Sequence, residues 1–118
     1  MMNLKWIKCQ GDVWCPLSTV DLTSPHFNKM DGVYIIWHGG SAPAAVYVGQ
    51  GNVRERLKAH RTEPEIQQYA PLGLFVTWAS VPQEQRGGVE RFLAESPYKP
   101  KVVAAWSSDP PIEVNLPW

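Results

Sequence analysis

The sequence predicts one small domain of the α+β type, with a three-stranded antiparallel sheet flanked by helices in the order β-β-α-β-α. Two β-rich apolar runs lie either side of a Gly/Ser/Ala/Pro stretch, and a third apolar run follows later. Segments with helical spacing of apolar residues come after the second and third runs. The 118 residues, 44% of them hydrophobic, suit a single domain with a modest core.

Residues 1–30 are predicted to form an N-terminal extension packed on a domain that spans residues 31–118. The extension contains Trp6 and Trp14 and ends in a Ser/Thr/Pro-rich connector. Because proline has no N–H to donate, Pro16 disfavours a central position in any sheet. The extension is therefore expected to add an edge strand or to cover one face of the sheet.

The first two strands are predicted at residues 33–37 and 45–48, paired as an antiparallel hairpin. The loop between them, residues 38–43, is too long for a two-residue turn. Each strand carries one tyrosine, Tyr34 and Tyr47. Pairing of the strands would therefore bring two phenols close together.

The first helix is predicted over residues 53–61, with Asn52 as its N-cap. An apolar pair one turn apart would bury one side of this helix against the sheet. Arg56 and His60 are also four residues apart, which places them on one side of the helix near the hairpin. Pro64 would then end the helix or start another turn.

The third strand, residues 74–79, is apolar almost throughout and is expected to be central and covered on both faces. Residues 80–83 would begin a second helix, which Gly87-Gly88 would weaken or split. Glu90 flanks the apolar stripe of this helix. The proline-rich tail from residue 96 is expected to be ordered coil wrapped on the domain.

The two tyrosine tripeptides are the most informative motifs: Gly-Val-Tyr at residues 32–34 and Tyr-Val-Gly at residues 47–49. An arginine and a histidine follow on the first helix and a glutamate on the second. In this order of parts the chain resembles the GIY-YIG nucleases, a family named for two such tripeptides. The similarity covers roughly residues 31–101.

The resemblance implies a metal-dependent endonuclease that hydrolyses a phosphodiester of DNA or another nucleic acid. Tyr34 would orient or deprotonate the attacking water, and Tyr47 would bond to the nucleophile or a phosphate oxygen. Arg56 would bind the scissile phosphate through two hydrogen bonds. His60 would bond the phosphate or transfer a proton. Glu90 would hold one Mg²⁺ or Mn²⁺ together with several waters.

These side chains also have ordinary interpretations. Tyrosine often packs its ring in a strand, and basic residues on an amphipathic helix are usually solvated. Glu90 could pair with Arg86 four residues earlier. Glu84 and Glu95 are the alternative metal ligands if the helix is rotated from the predicted orientation.

The charge balance provides no strong long-range attraction to nucleic acid, because 11 basic and 11 acidic residues cancel. Weak, salt-sensitive binding is expected instead. A local patch on the first helix would supply phosphate contacts or solvated charge: Arg54, Lys58 and Arg61. Because the sequence shows no companion targeting domain, specificity would come from a protein partner or from the terminal segments.

Two departures from the family pattern stand out. Tyr47 and Arg56 are one residue closer than in many members, which Gly51 makes feasible. The family asparagine that follows the glutamate helix, past a proline, has no counterpart after Pro100, and Asn115 is the only one downstream. Asn115 either folds back to complete the site, or the position is empty.

An empty position would favour an alternative function. The chain would then be a catalytically weak or inactive GIY-YIG-fold module that binds nucleic acid or a protein partner. A third possibility is a plain partner-binding module with no phosphate site. The three possible functions differ in whether the protein cleaves nucleic acid, only binds it, or does not bind it.

Cysteine usage and hydropathy give the expected compartment. Cys9 and Cys15 lack zinc-site spacing and are expected to be reduced, partly buried thiols. The N-terminus has no apolar core of a signal peptide, and no run approaches the roughly 20 residues that span a bilayer. A cytoplasmic protein without membrane contact is expected.

Overall fold

A computed structural model of the chain describes the backbone of residues 1–118 and all side chains except those of Ser96 and Pro97. The four strands are β1 (Cys15–Pro16), β2 (Asp31–His38), β3 (Ala44–Asn52) and β4 (Leu74–Ser80). The α-helices are α1 (Val53–His60), α2 (Pro64–Gln67) and α3 (Gln83–Leu93), and a π-helical turn, Ala94–Tyr98, follows α3. No helix among the described residues is long and apolar enough to cross a membrane.

The α+β class is confirmed, but the predicted count of three strands is wrong. Four strands form one antiparallel sheet in the order β1-β4-β2-β3. The additional strand comes from the N-terminal extension, where Cys15 pairs with Val76 and Pro16 with Phe75. Because β1 contains proline and has only two residues, it fits the edge of the sheet and no other position.

The sheet separates two hydrophobic clusters, one on each face. One cluster joins the sheet to α1, α2 and the extension, for example through Leu57 and Phe27. The other joins it to α3 and the tail, for example through Leu93 and Val114. The extension therefore both adds an edge strand and covers a face. β4 is covered on both faces, as predicted, because it contributes residues to both clusters. β2, however, is the strand that pairs along its length with a long strand on each side, β3 and β4.

The helices begin close to their predicted positions. The Asn52 side chain accepts a hydrogen bond from the Glu55 backbone N–H at 3.0 Å, so Asn52 is the N-cap of α1 as predicted. α1 ends at His60, and Pro64 begins α2, a separate short helix. α3 begins after Pro82 and runs without interruption.

The glycine pair of α3, Gly87-Gly88, does not split the helix. Its role is to make room for the tail, which packs closely against it. A Cβ on Gly88 would lie 2.6 Å from the carbonyl oxygen of Pro110. Ile112 N–H donates to the Gly88 carbonyl at 3.0 Å, and Arg91 Nη1 donates to the Ser108 carbonyl at 3.0 Å. The tail thus runs as ordered coil along α3, held by backbone as well as side-chain contacts.

The expectation of reduced thiols is wrong, because Cys9 and Cys15 form a disulfide with a Cα–Cα distance of 5.2 Å. The chain reverses direction between them, where Gly11 and Asp12 both have positive φ. Cys9 N–H donates to the Val13 carbonyl at 2.8 Å and closes this turn. The spacing of the two cysteines in the sequence did not indicate that the chain turns back between them. The cytoplasmic location stays a prediction.

Gly32→Ala is expected to lower the free energy of unfolding by more than about 2 kcal/mol. A Cβ at this position would overlap the backbone carbonyl oxygen of Ala79 on β4, and two paired strands cannot move apart cheaply. Urea unfolding measures the change. Gly40→Ala is the control, because its Cβ would meet only side-chain atoms, at 3.3 Å and beyond. Equal losses in the two variants would contradict the packing explanation.

Candidate active site

Four of the predicted site residues meet on the face of the sheet that α1 covers. The Tyr34 hydroxyl lies 2.6 Å from His60 Nε2. The rings of Tyr34 and Tyr47 stack with centroids 6.0 Å apart, and those of Tyr47 and His60 are 4.5 Å apart. Arg56 Nε donates to the Tyr34 hydroxyl oxygen at 3.4 Å, a long hydrogen bond. These four side chains are called the tyrosine cluster below.

The hairpin register and the pitch of α1 together assemble the tyrosine cluster. In the hairpin Tyr34 pairs with Gly49 and Tyr47 with Ile36, so the two phenols are diagonal neighbours on one face. Gly51 has φ of 124°, a conformation that favours glycine, and it turns the chain from β3 into α1. The four-residue spacing in α1 then directs Arg56 and His60 onto the phenols.

The glycine of the second tripeptide has a steric role in this cluster. The Tyr34 phenol lies directly over Gly49, where a Cβ would overlap its hydroxyl oxygen. The same Cβ would lie 2.8 Å from Cε1 of Tyr47. The Tyr-Val-Gly motif therefore supplies both a phenol and the space that two phenols need.

Tyr34 is fully buried, and this decides its protonation. Burial raises the pKa of the Tyr34 phenol well above its usual range, while the Arg56 guanidinium acts in the opposite direction. Hydrogen bonding to Tyr34 raises the pKa of Arg56 in turn. At neutral pH, Tyr34 is therefore a neutral hydroxyl that can donate one hydrogen bond and accept others.

His60 is also buried, with 1% of its side chain exposed. Burial lowers the pKa of the imidazole, and the Glu63 carboxylate partly offsets this because Glu63 Oε2 lies 2.7 Å from His60 Nδ1. Glu63 was not among the predicted site residues. Its only sequence signal is an acidic residue three positions after His60, immediately before Pro64.

Glu90 reaches the neighbourhood of the cluster from the other face of the sheet. α3 packs on that face, and the buried Glu90 carboxylate meets the edge strand β3, where Gln50 Nε2 donates to Oε1 at 3.1 Å. Glu90 is close enough to add to the factors that raise the pKa of Tyr34, after burial and Tyr47. Four of the five predicted catalytic residues thus contact one another, whereas Glu90 lies on the opposite face of the sheet, bonded to Gln50 of β3.

Glu90 is not a surface carboxylate paired with Arg86, which was its ordinary interpretation. Arg86 donates to the Val81 backbone carbonyl at 3.2 Å instead of pairing with Glu90. Of the alternative ligands, Glu95 pairs with Arg91 at 2.9 Å, and Glu84 is exposed on the first turn of α3. Glu90 is therefore the carboxylate of α3 that faces the hairpin.

The tail contributes to the surroundings of Glu90 in a way that the sequence did not indicate. Ser107 N–H donates to Glu90 Oε1 at 3.0 Å, and Trp106 Nε1 donates to the Val48 carbonyl at 3.0 Å. The tail also pairs with the outer side of β3, where Val102 N–H donates to the Val46 carbonyl at 2.9 Å. These residues were missed because nothing in the local sequence links them to β3.

The oxygen and nitrogen donors around Glu90 limit the kind of divalent-cation site that can form there. Among the side chains that the structure describes, no group of three or more His, Cys, Asp and Glu is arranged to hold a metal ion. Both hydrogen bonds found at the Glu90 carboxylate involve Oε1. A single carboxylate fits Mg²⁺ or Mn²⁺ held mainly by water and substrate phosphate, and it does not fit a site made wholly of protein ligands.

Asn115 is not brought to this site. Its side chain accepts from Leu4 N–H at 2.5 Å and donates to the Leu4 carbonyl at 3.0 Å. Its backbone carbonyl accepts from Trp6 Nε1 at 2.9 Å. The bridge between Met2 and Val114 aligns the tail with the start of the chain, so the Asn115 amide is engaged there.

The basic residues predicted to contact nucleic acid have different environments. Arg54 donates to the carbonyls of Leu22 and Ser24, at 2.7 and 2.9 Å. Arg61 donates to the Leu17 carbonyl at 2.8 Å and to that of Val20. Both arginines therefore hold the extension against α1.

Lys58, the third of the predicted contacts, is exposed on α1 between these two arginines. An exposed lysine keeps its charge in water, where a phosphate group can reach it. Of the three predicted phosphate contacts, Lys58 is therefore the one whose exposed position suits that role without loss of contacts to the extension.

Gly49→Ala is expected to lower the free energy of unfolding by about 1 to 3 kcal/mol, because the added methyl group overpacks the tyrosine cluster. It should also displace Tyr34 from His60, which would change the imidazole resonances of His60 in NMR spectra. Gly40→Ala serves as the control for a glycine substitution outside the cluster. Unchanged His60 resonances in Gly49→Ala would contradict this geometry.

His60 should make the stability of the protein depend on pH. Because its folded pKa lies below the ordinary value of 6.5, the unfolded chain takes up this proton first as the pH falls. The stability that neutral His60 contributes is complete above about pH 6.5 and is lost as the pH falls through the folded pKa. Urea unfolding between pH 8 and pH 5, roughly spanning this range, measures the loss.

His60→Gln should flatten this part of the pH profile, because it removes the buried imidazole. An identical pH profile in His60→Gln and the wild type would show that the loss has another source. The comparison uses differences between variants, so acid effects common to all of them cancel.

Comparison with known proteins identifies no relative: no family model, no curated protein and no solved structure matches the chain. The likeness to the GIY-YIG nucleases therefore depends on the residues of the chain itself. The fold class and the contacts among Tyr34, Tyr47, Arg56 and His60 are properties of this structure, and the activity is a proposal.

Proposed function

We propose that this protein is a small GIY-YIG-type endonuclease that hydrolyses a phosphodiester of DNA or another nucleic acid with the help of one divalent cation. The observation that supports it best is the buried Tyr34 hydroxyl, which contacts both His60 and Arg56. A phenol beside a base and a guanidinium can take up a proton from water next to a phosphate whose charge the guanidinium offsets. Glu90, on the opposite face of the sheet, bonds Gln50 of β3, the strand that also carries Tyr47.

Arg56 binds the scissile phosphate in this proposal. Its side chain is exposed and uses Nε for the long hydrogen bond to Tyr34. The two terminal nitrogens are suited to two phosphate oxygens, and a guanidinium there offsets negative charge that develops in the transition state. Because Tyr34 is fully buried, Arg56 would have to move from its hydroxyl for an attacking water to reach it.

Tyr34 then receives a proton from the attacking water. Because burial raises its pKa, Tyr34 does not ionise by itself at neutral pH, and it must pass its own proton on as it takes up another. His60 Nε2 is 2.6 Å away and is the acceptor. Tyr47, half-buried and stacked on Tyr34, is placed to donate to the water or to a phosphate oxygen.

Glu90 is the residue that would hold the cation. A bound Mg²⁺ or Mn²⁺ would polarise the phosphate and stabilise the leaving oxygen. Gln50 and Ser107 orient the carboxylate through Oε1, which leaves Oε2 as the oxygen for the cation. Orientation of a ligand by neighbouring hydrogen-bond donors is typical of metal sites.

The nucleic acid would be bound weakly and in a salt-dependent way, because the net charge is zero and two of the arginines near α1 hold the extension. Lys58 and Arg56 supply exposed positive charge on the same helix. A protein partner would then add the specificity that so few contacts cannot give.

A second candidate is a catalytically inactive module of the same type that binds nucleic acid or a protein partner. The observation that favours it is the environment of Glu90, which is 6% exposed and accepts a hydrogen bond from the Ser107 backbone N–H of the tail. A carboxylate in that position can have a purely structural role. The two candidates differ in whether Glu90 is needed for cleavage.

Purified protein is expected to nick supercoiled plasmid DNA at low salt with Mg²⁺ or Mn²⁺. Glu90→Ala and Tyr34→Phe should each lower the rate by at least about 100-fold, since each removes a group that acts in the transition state. Glu84→Ala is the matched control, because it removes an exposed carboxylate from the same helix and should leave the rate unchanged. Gel electrophoresis of the plasmid gives the rates.

Absence of cleavage of both DNA and RNA with either cation would reject the nuclease. If oligonucleotide binding then persisted unchanged in Glu90→Ala, the inactive module would be supported. If no amide resonance between residues 47 and 61 shifted on addition of an oligonucleotide, nucleic-acid binding at this site would be rejected, and of the two candidates only a module that binds a protein partner would remain.

A further inference from the structure

His60 lies between two hydrogen-bonding groups, one at each ring nitrogen. Nε2 is 2.6 Å from the Tyr34 hydroxyl, and Nδ1 is 2.7 Å from Glu63 Oε2. The histidine side chain is 1% exposed, whereas that of Glu63 is 39% exposed. Glu63 therefore links a buried imidazole to the surface of the protein.

The carboxylate determines the tautomer of His60. An ionised carboxylate can only accept hydrogen bonds, so the proton of the neutral imidazole is on Nδ1. Nε2 then carries a lone pair and accepts from the Tyr34 hydroxyl. The donor and acceptor in both hydrogen bonds are then determined: Tyr34 donates to His60, and His60 donates to Glu63.

The other groups around His60 do not fix its tautomer. Tyr47 on β3 faces the ring with a centroid distance of 4.5 Å, and Arg56 on α1 disfavours the imidazolium through its charge. Gln67 Nε2 donates to the His60 backbone carbonyl at 3.0 Å and holds the backbone, not the ring. Tyr34 can either donate or accept. Glu63 is thus the group that imposes a direction.

We propose that Glu63 is a positioning residue for the proposed hydrolysis, because it holds His60 in the tautomer that accepts the Tyr34 proton and stabilises the imidazolium that forms. This inference rests on the proposed nuclease function and adds a residue to its machinery. Glu63 does not touch the substrate. It acts only through His60.

Two proton transfers accompany the attack of water on phosphorus in this proposal. As the water oxygen bonds to phosphorus, one water proton passes to the Tyr34 oxygen and the Tyr34 proton passes to His60 Nε2. The bond from phosphorus to the leaving oxygen breaks, and that oxygen takes a proton from solvent. Once the products leave, the added proton returns from Nε2 through Tyr34 to solvent. Glu63 remains ionised throughout.

The tautomer is tested by NMR of the histidine ring nitrogens in the wild-type protein. We expect a protonated Nδ1 and an unprotonated Nε2 at His60 at neutral pH. Glu63→Gln should retain this tautomer, because the amide oxygen can still accept from Nδ1, whereas Glu63→Ala should release it. Glu65→Gln is the matched control, an exposed acidic residue two positions further along.

Kinetics test the role of the carboxylate charge. We expect Glu63→Ala to lower kcat about 10- to 100-fold with little change in KM. Glu63→Gln should move the acidic limb of the kcat profile to lower pH, because the carboxylate raises the pKa of His60. Glu65→Gln should match the wild type in both measurements.

Three outcomes would overturn the role of Glu63. The first is a His60 ring protonated on Nε2 at neutral pH, which needs no variant. The second is a wild type that cleaves DNA while Glu63→Ala and Glu63→Gln retain its kcat and pH profile; the nuclease would then stand without Glu63. The third is a wild type that cleaves no nucleic acid, which rejects the nuclease and the positioning role together.

Discussion

Burial of the Tyr34 phenol is the constraint on which the rest of this structure depends. A buried hydroxyl is costly unless it is hydrogen-bonded, and here His60 and Arg56 satisfy it. To fit beneath α1 the phenol needs Gly49 opposite it, which fixes the hairpin register. It also needs α1 rotated so that His60 faces inward. The packing requirement and the proposed chemistry therefore select the same residues.

The exposed edge of β3 is the second organising feature. An unpaired edge strand would offer its backbone to other chains, and here the tail covers it through hydrogen bonds to Ala45 and Val46. The same stretch of tail brings Ser107 to the Glu90 carboxylate. One segment thus protects an edge and orients the residue proposed to hold a cation. The Gly87-Gly88 pair allows that segment to lie close to α3.

The basic residues of α1 show how packing and binding compete for the same side chains. Arg54 and Arg61 each donate to two backbone carbonyls of the extension. Their positive charge still lies beside Lys58, but their geometry serves the fold. The neutral net charge and these contacts both fit a protein that binds nucleic acid weakly.

The sequence by itself determined the α+β class, the hairpin, the N-cap at Asn52 and the group formed by Tyr34, Tyr47, Arg56 and His60, because strand pairing and helical pitch are local rules. Tertiary structure decided the rest. The β1 strand, the Cys9–Cys15 disulfide and the Ser107 contact with Glu90 join segments whose approach no local pattern encodes. Glu63 and Asn115 show the same limit: each side chain was visible in the sequence, but its partner was set by how the chain folds back on itself.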